Sequence, residues 1–372
     1  MHNGQLTSRF RTAPPLPEVE RGSRGRTPLL CPLPEVERGS QKGLSPSLLR
    51  GGVPTFQYQA ILSFDVEEHW RIEAASGLSF DDASKRYYAG RVAPVTHWIL
   101  DELQRHDQRA TFFLVGQFAR QQPELVRAIH RDGHEVASHG WDHQRIHTLT
   151  PAQFHDDIRQ SKDALEQIIG EAVVGYRAPT FSIVRQTAWA LDVLAEHGLR
   201  YDSSIYPVRH DRYGIPDAPR GPFRAGGFQH EILELPPARL DLFGLKLPAA
   251  GGGYFRLFPL FVMEQALEQI RREGEPPVAM LYFHPWEFDP GQARLPLGRL
   301  SRFRTYVGMT RSRPRLSALL QRHRFVRAID AVAQLEQHAD ALPRFAVAES
   351  AQSTRAPERP EAQSAGATRG ST

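Results

Sequence analysis

The sequence predicts an α/β fold: a mainly parallel sheet, open or closed into a barrel, with helices packed around it. Short apolar runs alternate with segments of helical period from about Pro54 to about Val347. Polar residues of catalytic type recur directly after those runs, where barrels of this kind keep their chemistry. With 372 residues and 40% hydrophobic content, the chain has ample apolar material for one large domain.

Taken in order, Ala60–Phe64 (AILSF) and Ala110–Val115 (ATFFLV) read as buried strands. Glu135–Ser138 is a shorter one, followed by Val173–Tyr176, Leu233–Leu235 and Val278–Phe283 (VAMLYF). Helical spacing covers Pro123–Arg131, Pro151–Ile169 and Gln186–His197, the last stopped by Gly198. Thr150, Pro151 and Gln153 form a helix start: a threonine N-cap, proline at the first position and glutamine at the third.

The flanks read differently. PLPEVERGS occurs at Pro15–Ser23 and again at Pro32–Ser40, in a stretch rich in Pro, Arg and Gly without apolar periodicity. Residues 1–53 are therefore expected to be a disordered extension, and 348–372, rich in Ala, Ser, Glu and Arg, a disordered tail. The domain is 54–347. The pI of about 9.3 belongs mostly to the extension. Residues 1–50 hold eight Lys and Arg against four Glu, an excess of four that equals the net charge of the whole chain. A formally neutral body does not read as a nucleic-acid binder. No apolar run is long enough to span a membrane, and no secretory signal is readable. The expected location is the cytoplasm, or the inner face of a membrane as a peripheral protein. A single cysteine, Cys31, excludes disulfides within the chain and cysteine-ligated metal clusters, so any metal must be held by His, Asp, Glu or water.

Five strand ends carry polar groups. The first runs Phe64-Asp65-Val66-Glu67-Glu68-His69, and alternation puts Asp65 and Glu67 on one face and Glu68 on the other. Two carboxylates so placed could divide the work of metal ligand and base. The third strand leads into Ser138-His139-Gly140-Trp141-Asp142-His143, where histidines four apart could share one ion. His130/His134 and His143/His147 repeat that spacing, and position decides among them. His134 precedes its strand and His147 lies near the Thr150 cap, so His139 and His143 are the candidate pair. Tyr176-Arg177-Ala178-Pro179-Thr180, Tyr201-Asp202-Ser203-Ser204 and Phe283-His284-Pro285-Trp286 supply a cation, a third carboxylate and a further histidine.

FDVE, SHGWDH, YRAP, YDSS and YFHPWEFD, in that order, resemble the polysaccharide deacetylases of the NodB-homology group, carbohydrate esterase family four. The likeness runs from about Gln57 to Arg327. FDVEEHW together with GGGYFRLFP and FHPWEFDP resembles the subfamily associated with exosortase (PEP-CTERM) exopolysaccharide loci. The resemblance implies a distorted (β/α) barrel, one divalent metal ion, expected to be zinc, and removal of N-acetyl groups from an amino-sugar polymer. It makes Asp65 the base, His139 and His143 metal ligands, Arg177 the residue that orients the base, and Asp202 the acid that supports the catalytic histidine, His284. Val66 stands where many members have the metal-binding Asp, so the ligand moves to Glu67, in agreement with the face argument. Thr180 replaces the usual aromatic after the proline, which keeps a backbone donor and loses a stacking contact.

The implied partner is an N-acetylated polysaccharide or oligosaccharide, in association with an exopolysaccharide synthesis assembly. Trp141, Tyr206, Tyr254, Trp286 and Phe288 are candidate faces for sugar stacking. The rival readings are a hydrolase of a small amide or cyclic imide on the same fold and an inactive carbohydrate-binding protein. The three candidate ligands argue against the first, and the Asp65/His284 pair against the second.

Overall fold

A computed structural model describes residues 56–210 and 212–348 of the chain. The expected N-terminal extension and all of the expected tail except Ala348 lie outside the described residues.

The strands are β1 (Gln59–Val66), β2 (Thr111–Leu114), β3 (Glu135–Ser138), β4 (Gly175–Tyr176), β5 (Tyr201–Asp202), β6 (Phe223–Gly226), β7 (Glu231–Glu234), β8 (Arg239–Leu242), β9 (Leu245–Pro248), β10 (Val278–Phe283) and β11 (Arg344–Ala346). Nine form one curled sheet in the order β10-β1-β2-β3-β4-β5-β7-β6-β11, while β8 and β9 make a separate hairpin. Every pairing in the large sheet is parallel except β6 with β7. Single bridges from Pro237 to Met280 and from Gly251 to Tyr282 bring the chain that follows β7 back beside β10. The expected α/β class and distorted barrel are thus realised as a mixed sheet, curled but short of a regular eightfold barrel.

β1, β2 and β10 are buried along nearly their whole length, as parallel strands covered on both faces inside an α/β layer must be. The helices are α1 (Asp82–Arg105), α2 (Gly116–Gln121), α3 (Pro123–Arg131), α4 (Pro151–Ile169), α5 (Trp189–Glu196), α6 (Gly252–Leu257), α7 (Leu260–Glu273), α8 (Arg299–Tyr306), α9 (Ser312–Arg322) and α10 (Ala328–Glu336). Among the described residues no helix is long and apolar enough to cross a membrane. α3 and α4 have the expected bounds, and α4 opens with the expected capping box between Thr150 and Gln153. Gln186–His197 begins as a tight 3-10 turn before α5.

Two buried carboxylates hold the frame away from the catalytic-type cluster. Glu135 accepts from Thr111 Oγ1 at 2.7 Å, Tyr201 O–H at 2.9 Å and the N–H of Ile329 at 2.9 Å, tying β2, β5 and α10 together. Asp192 on α5 accepts the N–H groups of Phe228, Gln229 and His230 at 2.9, 2.8 and 2.8 Å, which fixes the turn between β6 and β7. A Cβ on Gly227 would stand 2.5 Å from that carboxylate. Asp192→Ala removes three charge-assisted bonds at once and is expected to lower the unfolding free energy by about 3 kcal/mol. Urea titration of the variant checks it, and a change below about 1 kcal/mol would show that the turn holds without Asp192.

Candidate active site at the strand ends

β1 delivers Asp65 in register with Phe113 of β2. The Asp65 carboxylate is buried and is met by Arg177, whose Nη1 donates to Asp65 Oδ1 at 2.6 Å and to Ser63 Oγ at 2.9 Å. Arg177 Nη2 donates to Ser203 Oγ at 2.9 Å and lies against Met280 Sδ, and Nε donates to the Ser203 carbonyl at 3.2 Å. Its guanidinium carbon stands 4.1 Å over the Phe113 ring. A fully buried cation with every donor occupied cannot swing away from its carboxylate.

Beyond Val66 the chain turns, and Glu67 and Glu68 part company. Glu67 joins His139 and His143 in a group whose candidate ligand atoms lie within 4.8 Å of one another. Glu68 instead pairs with Arg71 at 2.7 Å, and Arg71 reaches on to Asp142 and Gln117. His139 Nδ1–H donates to the Arg177 carbonyl at 2.8 Å, which fixes the tautomer and leaves Nε2 free for a ligand. Glu67 Oε2 is buried against His143 Nε2 without a properly aligned hydrogen bond. A carboxylate and an imidazole so close need a proton or a cation between them. These residues fit a divalent ion.

The loop that carries the two histidines depends on Gly140 and Asp157. Gly140 has φ +76°, and a Cβ there would meet Asp157 Oδ2 at 2.9 Å. Asp157, on α4, accepts the Trp141 N–H at 2.9 Å, and burial pushes its carboxyl up to about 6. Burial pulls His139 down to about 4, so its imidazole is neutral, as a ligand must be. Burial opposes ionisation of Glu67, but His143, His284 and His139 outweigh it and hold the carboxyl well below the usual range.

His284 follows β10. Its Nε2 stands 3.6 Å from Glu67 Oε1 and 3.9 Å from Asp65 Oδ2, and its Nδ1 lies 2.6 Å from Glu287 Oε1. Burial disfavours the cation, yet Glu287, Glu67 and Asp65 together raise the imidazole to about 9. Glu287 is in turn held by Arg256 of α6 at 3.3 Å. A Cβ on Gly252 would fall 1.4 Å from Glu287 Oε2, so that carboxylate occupies the place where any other residue would have a side chain.

Glu287 corrects the expectation for Asp202, which is not brought to His284. Asp202 is buried in register with Glu234 of β7 and accepts from Ser204 Oγ. Burial pushes it up to about 6 and Glu234 well above its ordinary range, as expected for two facing acids that share a proton. The aromatic candidates also move. Tyr206 is fully buried with its O–H on the Ala238 carbonyl, and Phe288 is core, so neither offers a face to a sugar. Trp286 is buried between His284 and His69, at ring-centroid distances of 5.4 and 4.7 Å, and holds the histidine rather than a ligand. Trp141 covers Gly116 under the Arg120 guanidinium, at a cleft bordered by Pro123 and Asp163. Tyr254 stacks on Phe258 at the rim of an apolar groove. Thr180 adopts φ +57° and ψ +24° in the turn after Pro179.

The remaining histidines of repeated spacing lie elsewhere. His130 faces Glu171 at 3.2 Å, His134 Nδ1 accepts the Ala110 N–H at 3.2 Å, and His147 is exposed. Glu287 and Arg256 were not found from sequence, although the three-residue step from His284 to Glu287 carried a signal.

Residues 72–201 match the family model "Polysaccharide deacetylase", and 203–333 match "Domain of unknown function (DUF3473)". Residues 72–201 are thus similar in sequence to polysaccharide deacetylases. The first match holds His139, His143 and Arg177, and the second His284, Glu287 and Arg256. A chitooligosaccharide deacetylase of Bradyrhizobium is 32% identical over 32% of this chain and 48% of its own length. The peptidoglycan-N-acetylglucosamine deacetylase PgdA of Listeria monocytogenes is 32% identical over 50% of this chain and 38% of its own. The chain thus spans about half, or less, of these relatives. The crystal structure of Puue allantoinase superposes with a TM-score of 0.51 at 18% identity, covering 79% of this chain and 98% of that one, a likeness of fold.

His139→Ala and His143→Ala are each expected to lose a bound divalent ion, whereas His130→Ala and His147→Ala keep it. Elemental analysis of the purified variants checks this, and full retention in the first pair would remove both histidines from the ligand set.

Proposed function

We propose that the chain is a metal-dependent hydrolase that removes N-acetyl groups from an amino-sugar saccharide. The observation that carries the reading is one strand-end site that combines the Glu67/His139/His143 group with a carboxylate fixed by arginine and a cationic imidazole. Glu67, His139 and His143 would hold a single divalent ion, and two imidazoles with one carboxylate suit zinc. When bound, such an ion lowers the pKa of water and polarises a carbonyl.

The chain's own groups supply the proton traffic. Asp65 accepts a proton from the attacking water through Oδ2, because Oδ1 is already committed to Arg177. Arg177 keeps that carboxylate aimed. The water oxygen bonds to the acetyl carbon, and the backbone N–H of Thr180 is the candidate donor to the oxygen that gathers charge. His284, protonated and steadied by Glu287, gives its Nε2 proton to the amine nitrogen as the carbon–nitrogen bond breaks. Acetate and a free amino sugar leave. The resemblance of FDVEEHW, GGGYFRLFP and FHPWEFDP extends the proposal to an exopolysaccharide, made or modified by a synthesis assembly.

Acetate release from a panel of N-acetylated oligosaccharides, with three neighbouring carboxylates varied, tests the reading. Asp65→Asn is expected to keep the metal and lose about 10²–10⁴-fold in turnover, the usual contribution of a positioned base. Glu67→Gln is expected to lose metal, and Glu68→Gln to keep both metal and most activity, since Glu68 serves Arg71. Metal loss in Glu68→Gln with retention in Glu67→Gln would overturn the ligand assignment. Turnover of a cyclic amide with no acetate from any saccharide would overturn the substrate class.

A further inference from the structure

The β8–β9 hairpin and the helices beside it expose apolar surface that the chemistry above does not use. Phe243 and Gly244 form the two-residue turn of the hairpin, both with positive φ, +50° and +77°. Such turns ordinarily take Asn-Gly, and a bulky side chain in the left-handed region is strained. Phe243 is nevertheless 94% exposed, and its neighbour Leu245 is 64% exposed. A strained backbone that pushes an aromatic ring into water benefits nothing inside the fold.

The hairpin borders an apolar groove of about 490 Å³, whose far wall is the start of α7. Phe261 there is 59% exposed, and Phe258 adds a further half-exposed ring. The two carboxylates on the groove, Asp241 and Glu273, face Arg220 at 3.8 and 3.0 Å. α8 follows the same pattern. Its sequence RLSRFRTY has three arginines and no acid, and Leu300 and Phe303 lie one turn apart at 62% and 57% exposure. Arg256 of α6 donates to the Thr305 carbonyl of α8, which sets α8 beside the helix whose Tyr254 and Phe255 line the groove. Among the described residues, Arg299, Arg302 and Arg304 have no carboxylate partner.

We propose that this face docks on an anionic lipid bilayer. Phe243 and Phe261 would enter the boundary between headgroups and acyl chains, and the α8 arginines would meet lipid phosphate. Protruding aromatic and aliphatic side chains beside unpaired basic ones are the surface that such an interface selects, whereas the same face of a second copy, whose Asp241 and Glu273 already face Arg220, would offer those cations no carboxylate. The inference stands apart from the chemistry at the strand ends and does not depend on it.

Sedimentation of the full chain with vesicles of phosphatidylcholine, with and without phosphatidylglycerol, tests it. The expected result is binding to the mixed vesicles that weakens with salt, and little binding to phosphatidylcholine alone. Phe243→Asn places a residue that tolerates positive φ in the turn, so the variant should melt no lower than the parent. Its vesicle affinity should fall about tenfold, the loss from withdrawing one phenylalanine from an apolar phase. Phe261→Ser should fall similarly, and Arg302→Gln/Arg304→Gln should lose most of the preference for phosphatidylglycerol. Absence of binding to either vesicle would overturn the proposal. So would binding that all the variants retain, since the basic residues 1–50 would then be its source. Self-association abolished by Phe243→Asn, without vesicle binding, would instead make the face an interface between copies of the chain.

Discussion

The site depends on one buried cation. Arg177 leaves β4 with its N–H on the Ser138 carbonyl, accepts His139 Nδ1–H on its own carbonyl, and spends its guanidinium on Asp65, Ser63, Ser203 and Met280. One residue therefore joins β1, β3, β10 and the segment after β5, and sets the position of both the base-type carboxylate and a ligand-type histidine. An isolated buried charge would be costly, and breaking such a pair by removing one partner typically costs about 3–5 kcal/mol. Here every donor has an acceptor, so the charge is compensated and the geometry is held. A lysine would keep the charge but could not span those acceptors.

A second chain of charges approaches from the other half of the molecule. Arg256, Glu287 and His284 run from α6 to the same strand ends, and Gly252 is the clearance that lets the carboxylate pass. The two family matches divide the site along this line, with His139 and His143 in one and the cationic imidazole in the other. The Glu67/His139/His143 cluster sits between the two chains of charge, which hold Asp65 against Arg177 on one side and His284 as a cation on the other.

Much of this was legible because strand alternation and strand ends are local properties. Alternation pointed to Glu67 rather than Glu68, although the strand ends at Val66 and the turn after it is what parts the two, and position relative to β3 pointed to His139 and His143 among five histidines. What failed was long-range. Asp202 stands at a strand end as expected, but its partner is set by β7 pairing beside β5, which brings Glu234 against it. Tyr206 and Trp286 have side chains suited to sugar stacking, and only tertiary packing shows that both are buried. α1 was not anticipated because Gly90 and Pro94 interrupt its pattern, and packing against the turn that holds Trp286 overrides that local cost. The mixed edge of the sheet was hidden for a similar reason. β5 has two residues and β11 three, too short to show any period.

The central claim is that Glu67 and two histidines form a ligand set whose orientation is fixed by Arg177. A crystal structure of the zinc-loaded protein, with the ion located by its anomalous signal, tests it most directly. The account predicts one strong peak about 2.0–2.2 Å from a Glu67 carboxylate oxygen, His139 Nε2 and a ring nitrogen of His143, with Asp65 outside the coordination sphere and still on Arg177. A peak bonded to Asp65 or Glu68 in place of Glu67, or to His139 through Nδ1, would contradict it.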